Sequence, residues 1–206
     1  MIEKPNLYDE VEVNQDFERM ELGGHKGIIK SVEKYTSQMS GNTSLKVQVD
    51  TDKDDKQPNY YQKQYDSDDR SDKKWSTGAT KYVSLKQDEN CVRMLKGFIT
   101  AVENSNNGFT YDWKKDIEQL VGKKVGLVFG LEQYEDQEGK IKTATKLNQF
   151  RSLDKVEDTK IPKVRLIDGS TIDYEDYKAT LQQNNNNSNP FGELEDVVEI
   201  SDNFLD

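Results

Sequence analysis

Val125-Gly-Leu-Val-Phe-Gly-Leu131 is the stretch on which the fold turns. Val125, Leu127, Phe129 and Leu131 recur with a period of two, the pattern of a strand with one face against a core. Gly126 and Gly130 sit on the opposite parity, where glycine lets a strand bend at a barrel corner or lets a second backbone approach closely. Asp136-Gln-Glu-Gly139 reads as a hairpin turn and Lys140–Phe150 as the returning strand. On that strand Ile141 and Leu147 share one parity, while Lys140, Lys142, Lys146 and Asn148 share the other. The hairpin therefore predicts one inward face and one mostly cationic face.

Working upstream, Asp88 is placed to cap a helix running to about Glu103, with Val92, Leu95, Phe98, Ile99 and Val102 along one side. Asn104-Ser-Asn-Asn-Gly108 stops it, and Phe109-Thr-Tyr-Asp-Trp113 leads on as a loop or short helix. Before the helix, three strands are expected. Gly27–Val32 follows a Gly23-Gly24 turn that also holds His25; Leu45, Val47 and Val49 alternate with Lys46 and Gln48. Asn59–Tyr65 is the third, followed by an acidic loop and a further short segment at Lys81–Leu85. The order strand, strand, strand, helix, strand, strand is that of the OB-fold, a five-stranded Greek-key barrel, so the expected class is mainly β with one helix.

The composition sets limits on this core. Apolar residues make up 33% of the 206, against roughly 45–50% in ordinary globular domains, so part of the chain is expected to stay unpacked. Twenty-nine bases oppose 39 acids, for a formal net charge of -10. Residues 181–206 hold no Lys or Arg and carry Glu193, Glu195, Asp196, Glu199, Asp202 and Asp206. The segment Lys114–Arg165 is locally basic. A balanced body with a basic half and an acidic tail points to a nucleic-acid binder with an interaction tail; a merely solubilising tail is the plain alternative. The tail opens on the polar tract Gln182–Asn189, which cannot offset its own ordering entropy, yet embeds Phe191, Phe204 and Leu205 among acids. Apolar anchors in acid suit docking to a basic, greasy groove on a partner. The expected organisation is an N-terminal extension (1–19), an OB-like domain (20–155), a C-terminal extension (156–181) and a disordered acidic tail (182–206).

Several chemistries are excluded or weakened. Cys91 and His25 are each the sole residue of their type, which removes disulfide frameworks and Cys- or His-cluster zinc sites. Cys91 is read as a small buried hydrophobe. Asp50-Thr-Asp-Lys-Asp54 imitates a calcium loop, but Asp55 stands where Gly is required and Tyr61 where a bidentate Glu belongs, so an exposed acidic loop is expected. Glu138-Gly-Lys140 resembles the acid-x-lysine element of metal-dependent nucleases, yet falls at a hairpin tip where turn chemistry accounts for it. No phosphate-cradling glycine motif and no cofactor signature is present. No apolar run approaches the ~18–20 residues of a membrane span, and the N-terminus lacks a signal layout, so a cytoplasmic protein is expected.

The richest constellation is aromatic and basic together: Tyr60, Tyr61, Lys63, Tyr65, Lys73, Lys74, Trp75, Lys81 and Tyr82 fall within 23 residues. Single-strand binders need flat rings on which bases stack beside cations that follow the phosphates. The competing reading packs the rings under the sheet. As strand neighbours, Tyr60 and Tyr61 would face opposite ways, leaving at least one displayed.

The sequence resembles small proteins from the replication modules of bacteriophages of Gram-positive hosts, through Tyr8–Val13, Leu22–Gly24, Lys73–Trp75, Phe98–Ser105 and Gly122–Glu135. That resemblance implies a single-stranded DNA-binding protein of phage replication or recombination, working in the host cytoplasm. The layout of body, polar linker and acidic tail is also similar to bacterial single-stranded DNA-binding proteins. Their tails close on Pro-Phe, whereas this one closes on Phe204-Leu205-Asp206. The expected DNA-binding residues are Lys46, Tyr60, Tyr61, Lys63, Tyr65, Trp75, Tyr82, Lys140, Lys142, Lys146 and Arg151; Phe191, Phe204, Leu205 and Asp206 are expected to bind replication or recombination proteins. The tail is further expected to compete for the protein's own cationic groove. A homo-oligomer stays open. The rivals are a protein-interaction module that does not touch DNA and, third, a metal-dependent nuclease.

Overall fold

The computed structural model describes residue 4 and residues 18–188, with side chains to residue 182. Tyr8–Val13 and the tail residues Phe191, Phe204, Leu205 and Asp206 lie outside the described residues.

Two long alternating strands form the centre of the sheet. β1 (Gly23–Thr36) pairs antiparallel with β2 (Thr43–Thr51) on one side and with β4 (Lys124–Glu135) on the other. β2 pairs with β3 (Thr80–Ser84), and β4 with β5 (Ile141–Arg151). Two-residue strands β6 (Val164–Arg165) and β7 (Thr171–Ile172) extend the sheet beyond β4, β6 running parallel to it. The sheet is open and seven-stranded rather than a closed five-stranded barrel. No ladder joins β3 to β5, although the turn before β3 touches β5: a Cβ at Gly78 would lie 2.9 Å from the Thr145 carbonyl.

Two bulges curl the sheet. Ile29 faces Val49 and Ser31 faces Gln48, leaving Lys30 as the extra residue; Ile29 and Val32, of opposite parity, are consequently both buried. Asn148 is the extra residue of β5, so Leu147 and Phe150 both turn to the core. Ile141, expected inside, lies before the bulge near the hairpin tip and is exposed.

α2 (Glu89–Ser105) spans the interval between β3 and β4 as its periodicity requires. The Asp88 carboxylate accepts the Cys91 amide at 3.0 Å, and Asn106 closes the other end by donating to the Val102 and Lys124 carbonyls. Phe98, Ile99, Ala101 and Val102 pack on the inner face with Val47, Val49, Val125, Leu127 and Phe129. Full burial of each large apolar side chain stabilises the fold by about 1.5–3 kcal/mol relative to leaving it exposed. The first turns are less buried: Val92 is exposed and Cys91 is only half-buried rather than a core residue.

The outer face of β4 is covered as well. Val128, Val156 of α3 (Leu153–Val156) and Val164 are fully buried. A Cβ at Gly24 would fall 1.9 Å from the Val156 carbonyl oxygen, and one at Gly126 2.8 Å from the Arg151 carbonyl oxygen. Close backbone approach is thus the reason for glycine at 126. α4 (Tyr174–Ser188) returns Tyr177 to a 2.7 Å hydrogen bond with Thr143 and continues into the Gln/Asn tract. Among the described residues, no helix is long and apolar enough to cross a membrane.

The main departure from the sequence reading lies between β2 and β3. Asn59–Tyr65 is not a strand; it forms α1 (Tyr60–Ser67), and the third strand is β3. Asn59 adopts a left-handed conformation and supplies no side-chain cap. The first amides are met instead by β2: Asp50 accepts from Tyr61 and Gln62 at 2.9 and 3.2 Å, and Thr51 Oγ1 accepts from Tyr60 at 2.9 Å. Burial drives the Asp50 carboxyl upward, against the three amides it accepts, those of Tyr61, Thr51 and Gln62. The expected exposed acidic loop is therefore structural: Asp50 and Asp52 are buried, and Asp52 meets Lys124 at 3.1 Å. His25 lies in β1 rather than a turn. It is buried, with Nδ1 2.8 Å from Asp55 Oδ1 and Nε2 3.1 Å from the Glu21 carbonyl oxygen.

Candidate nucleic-acid interface

The inward positions of β2 are Leu45, Val47 and Val49, so Lys46 and Gln48 must face out. β3 repeats the rule: Val83 is buried, while Thr80 and Tyr82 lie opposite Gln48 and Lys46 on the outer face. The 68–79 connector folds over this face. Its anchor is Trp75, whose indole N–H donates to the Val49 carbonyl at 3.0 Å. The Tyr65 ring stands 5.7 Å from that of Trp75, with Lys73 Nζ 4.8 Å from the Tyr65 centroid and Lys30 Nζ 5.9 Å from Trp75. β5 contributes Lys142 and Lys146, four residues apart on one face; Lys146 donates to Thr77 Oγ1 at 2.6 Å across the unladdered gap. Between these elements lies a groove of about 1000 Å³.

Its walls differ in charge. One carries Lys46, Lys73, Lys74, Tyr65, Trp75 and Tyr82; the other pairs Lys142 and Lys146 with the hairpin acids Glu135, Asp136 and Glu138. Tyr82 is 48% exposed and lies 5.3 Å from Tyr35 at a tilt of 58°, Tyr35 being itself 42% exposed, so a ligand in the groove meets open ring surface. Lys46 Nζ rests 2.8 Å from Glu33, and Lys142 Nζ 2.9 Å from Asp136. The Asp136 contact holds the Lys142 ammonium above the ordinary lysine range; Lys142 and the amides of Lys140 and Glu138 hold Asp136 below the ordinary carboxylate range. Five cations against three acids leave the lining net positive, which suits an anion of modest charge density.

Of the residues expected from sequence, the groove gathers Lys46, Tyr65, Trp75, Tyr82, Lys142 and Lys146. Tyr60 and Tyr61 are a correction. Both are buried, because a helix begun against β2 turns the pair under the sheet, Tyr60 edge-on to Tyr61 at 4.9 Å and Tyr61 5.8 Å from Phe129. Lys63 is exposed on α1 but not in the groove. Lys140 sits at the hairpin tip, 2.8 Å from Glu138, and Arg151 is exposed at the far end of β5; neither lines the groove. The sequence reading missed Gln48, Thr80, Tyr134 and the hairpin acids as lining residues. Cross-strand parity carried a signal for Tyr134, which lies directly opposite Lys142.

Glu138 and Lys140 pair with each other, and among the described residues no group of three or more His, Cys, Asp or Glu is placed to hold a metal. No protein-family model matches the chain, and a search of curated proteins returns no significant match.

Proposed function

We propose that this chain is a sequence-tolerant single-stranded DNA-binding protein that uses the β2–β3 face. The observation that carries the reading is the convergence of Tyr65, Trp75 and Tyr82 with Lys46, Lys73, Lys74, Lys142 and Lys146 in one groove. Rings at this spacing offer bases a stacking platform worth about 1–3 kcal/mol each, and lysines on both walls track the backbone. The proposal includes an OB-type relationship, which is supported by β1 pairing with both β2 and β4 and by α2 lying between β3 and β4; OB-folds bind oligonucleotides on the face of strands two and three. The role in phage replication or recombination, the host cytoplasm as its compartment, and recruitment of partners through Phe191, Phe204, Leu205 and Asp206 belong to the same proposal and rest on the sequence resemblance.

One observation favours a second reading. Glu135, Asp136 and Glu138 give the groove mixed charge, which suits a protein segment carrying both signs. Fluorescence anisotropy with labelled oligo-dT and with duplex, across a range of salt, separates the two. The proposal expects tight binding to the single strand, weaker binding to duplex, and a logarithmic salt slope of about -0.7 per phosphate contacted. Absence of binding by the full chain and by a chain ending at Leu181 would leave the protein-interaction reading as the better account.

A further inference from the structure

Among the described residues, the Tyr134 hydroxyl is the buried side-chain polar atom without a hydrogen-bond partner. Buried hydroxyls are normally satisfied, and leaving one unmade costs the full desolvation of the group. Tyr134 lines the groove, directly across the β4–β5 ladder from Lys142 and two residues before Asp136. Burial raises its pKa, so the phenol stays a protonated donor. Beside it, Lys142 is engaged by Asp136 at 2.9 Å. Asp136 belongs to the turn independently of that pair, its Oδ1 accepting the amides of Glu138 and Lys140 at 3.0 and 2.8 Å. A neutral amide oxygen there would still accept both turn amides, though more weakly than the carboxylate. The charge at 136 has its effect on Lys142.

We propose that Tyr134 and Lys142 form a phosphate subsite of the groove, held shut in the free protein by Asp136. A backbone phosphodiester of the bound strand draws the Lys142 ammonium away from the Asp136 carboxylate, and the same phosphate offers the Tyr134 hydroxyl an oxygen to which it can donate. The ion pair is the movable element, since Lys142 is 37% exposed and its partner is fixed by backbone amides. The inference rests on nucleic acid occupying the groove. It adds a designated anion position and an internal competitor for it.

The test is anisotropy binding of labelled oligo-dT to the full chain and to Tyr134→Phe, Asp136→Asn and Lys142→Gln, alongside thermal melts. Tyr134→Phe should weaken binding about fivefold, the loss of one hydrogen bond, while raising Tm because the unpaired hydroxyl is gone. Asp136→Asn should tighten binding about threefold. In Lys142→Gln both effects should vanish, and the salt slope should fall by about 0.7. Inorganic phosphate at matched ionic strength should displace the strand no better than chloride, which assigns the subsite to backbone phosphodiester rather than free phosphate. Binding that is lost in Tyr82→Ala but unchanged in Tyr134→Phe and Asp136→Asn would overturn the subsite and leave the groove intact. No binding by the wild-type chain would instead overturn the proposed function on which the subsite depends.

Discussion

Two sets of aromatic residues that are neighbours in the sequence meet opposite fates. Tyr60 and Tyr61 are buried against Phe129, whereas Tyr65, Trp75 and Tyr82 line an open groove. For the pair and Tyr65 the difference is set where α1 starts, on Asp50 and Thr51 of β2. Asp50 takes the amides of Tyr61 and Gln62, starts α1 against β2, and so turns the first pair inward while carrying Tyr65 a turn further, to the groove. Aromatic content by itself does not distinguish a core from a stacking platform; the position of the helix start does.

The comparison breaks most visibly at Tyr61. Tyr61→Ala should cost about 3–5 kcal/mol of stability, as for other buried aromatics, measured by denaturant melts, and should lower DNA affinity only through unfolding. Next, Asp50→Ala leaves three amides without their acceptor; a loss of about 2–3 kcal/mol is expected, with reduced helix signal in circular dichroism. Tyr82→Ala reverses the pattern. Stability should stay within about 0.5 kcal/mol, while oligo-dT binding weakens by about 1–3 kcal/mol. A stability loss at Tyr82 as large as at Tyr61 would dissolve the distinction between the two sets.

The smallest effect concerns acid. Burial opposes ionisation of Asp55, but the His25 contact and the amides of Gln57 and Lys26 outweigh it and hold its carboxyl below the ordinary value. Its contribution to stability is therefore present above the unfolded pKa, near 3.9, and lost as pH falls through the lower folded value. Asp55→Asn should be about 1 kcal/mol less stable at neutral pH, with the gap narrowing on acidification below about pH 4. A gap that widens there would reverse the assignment.

The sequence made legible what short-range periodicity controls. β2 and the β4–β5 hairpin follow from alternation, and α2 from a capping aspartate, an apolar stripe and an asparagine stop. Lys142 and Lys146 were legible as outward cations for the same reason, and Tyr65, Trp75 and Tyr82 as rings among bases. What escaped depends on contacts distant in the chain. α1 has its caps in β2, at Asp50 and Thr51, so its segment reads as a strand when taken alone. The bulges at Lys30 and Asn148 reverse parity within a strand, and β6 and β7 are too short to show a period. Tyr134 and the hairpin acids become lining residues only because the connector carrying Trp75 folds down beside β5.

Trp75 allows the most direct test of the central claim, that a single strand lies in this groove. The chain has two tryptophans, and Trp113 is 70% exposed, so Trp113→Phe leaves Trp75 as the sole indole reporter. Titrating that variant with oligo-dT should quench its fluorescence with the affinity found by anisotropy, and added salt should restore it. Undiminished Trp75 emission while anisotropy reports saturated binding would place the strand elsewhere on the protein and contradict the account.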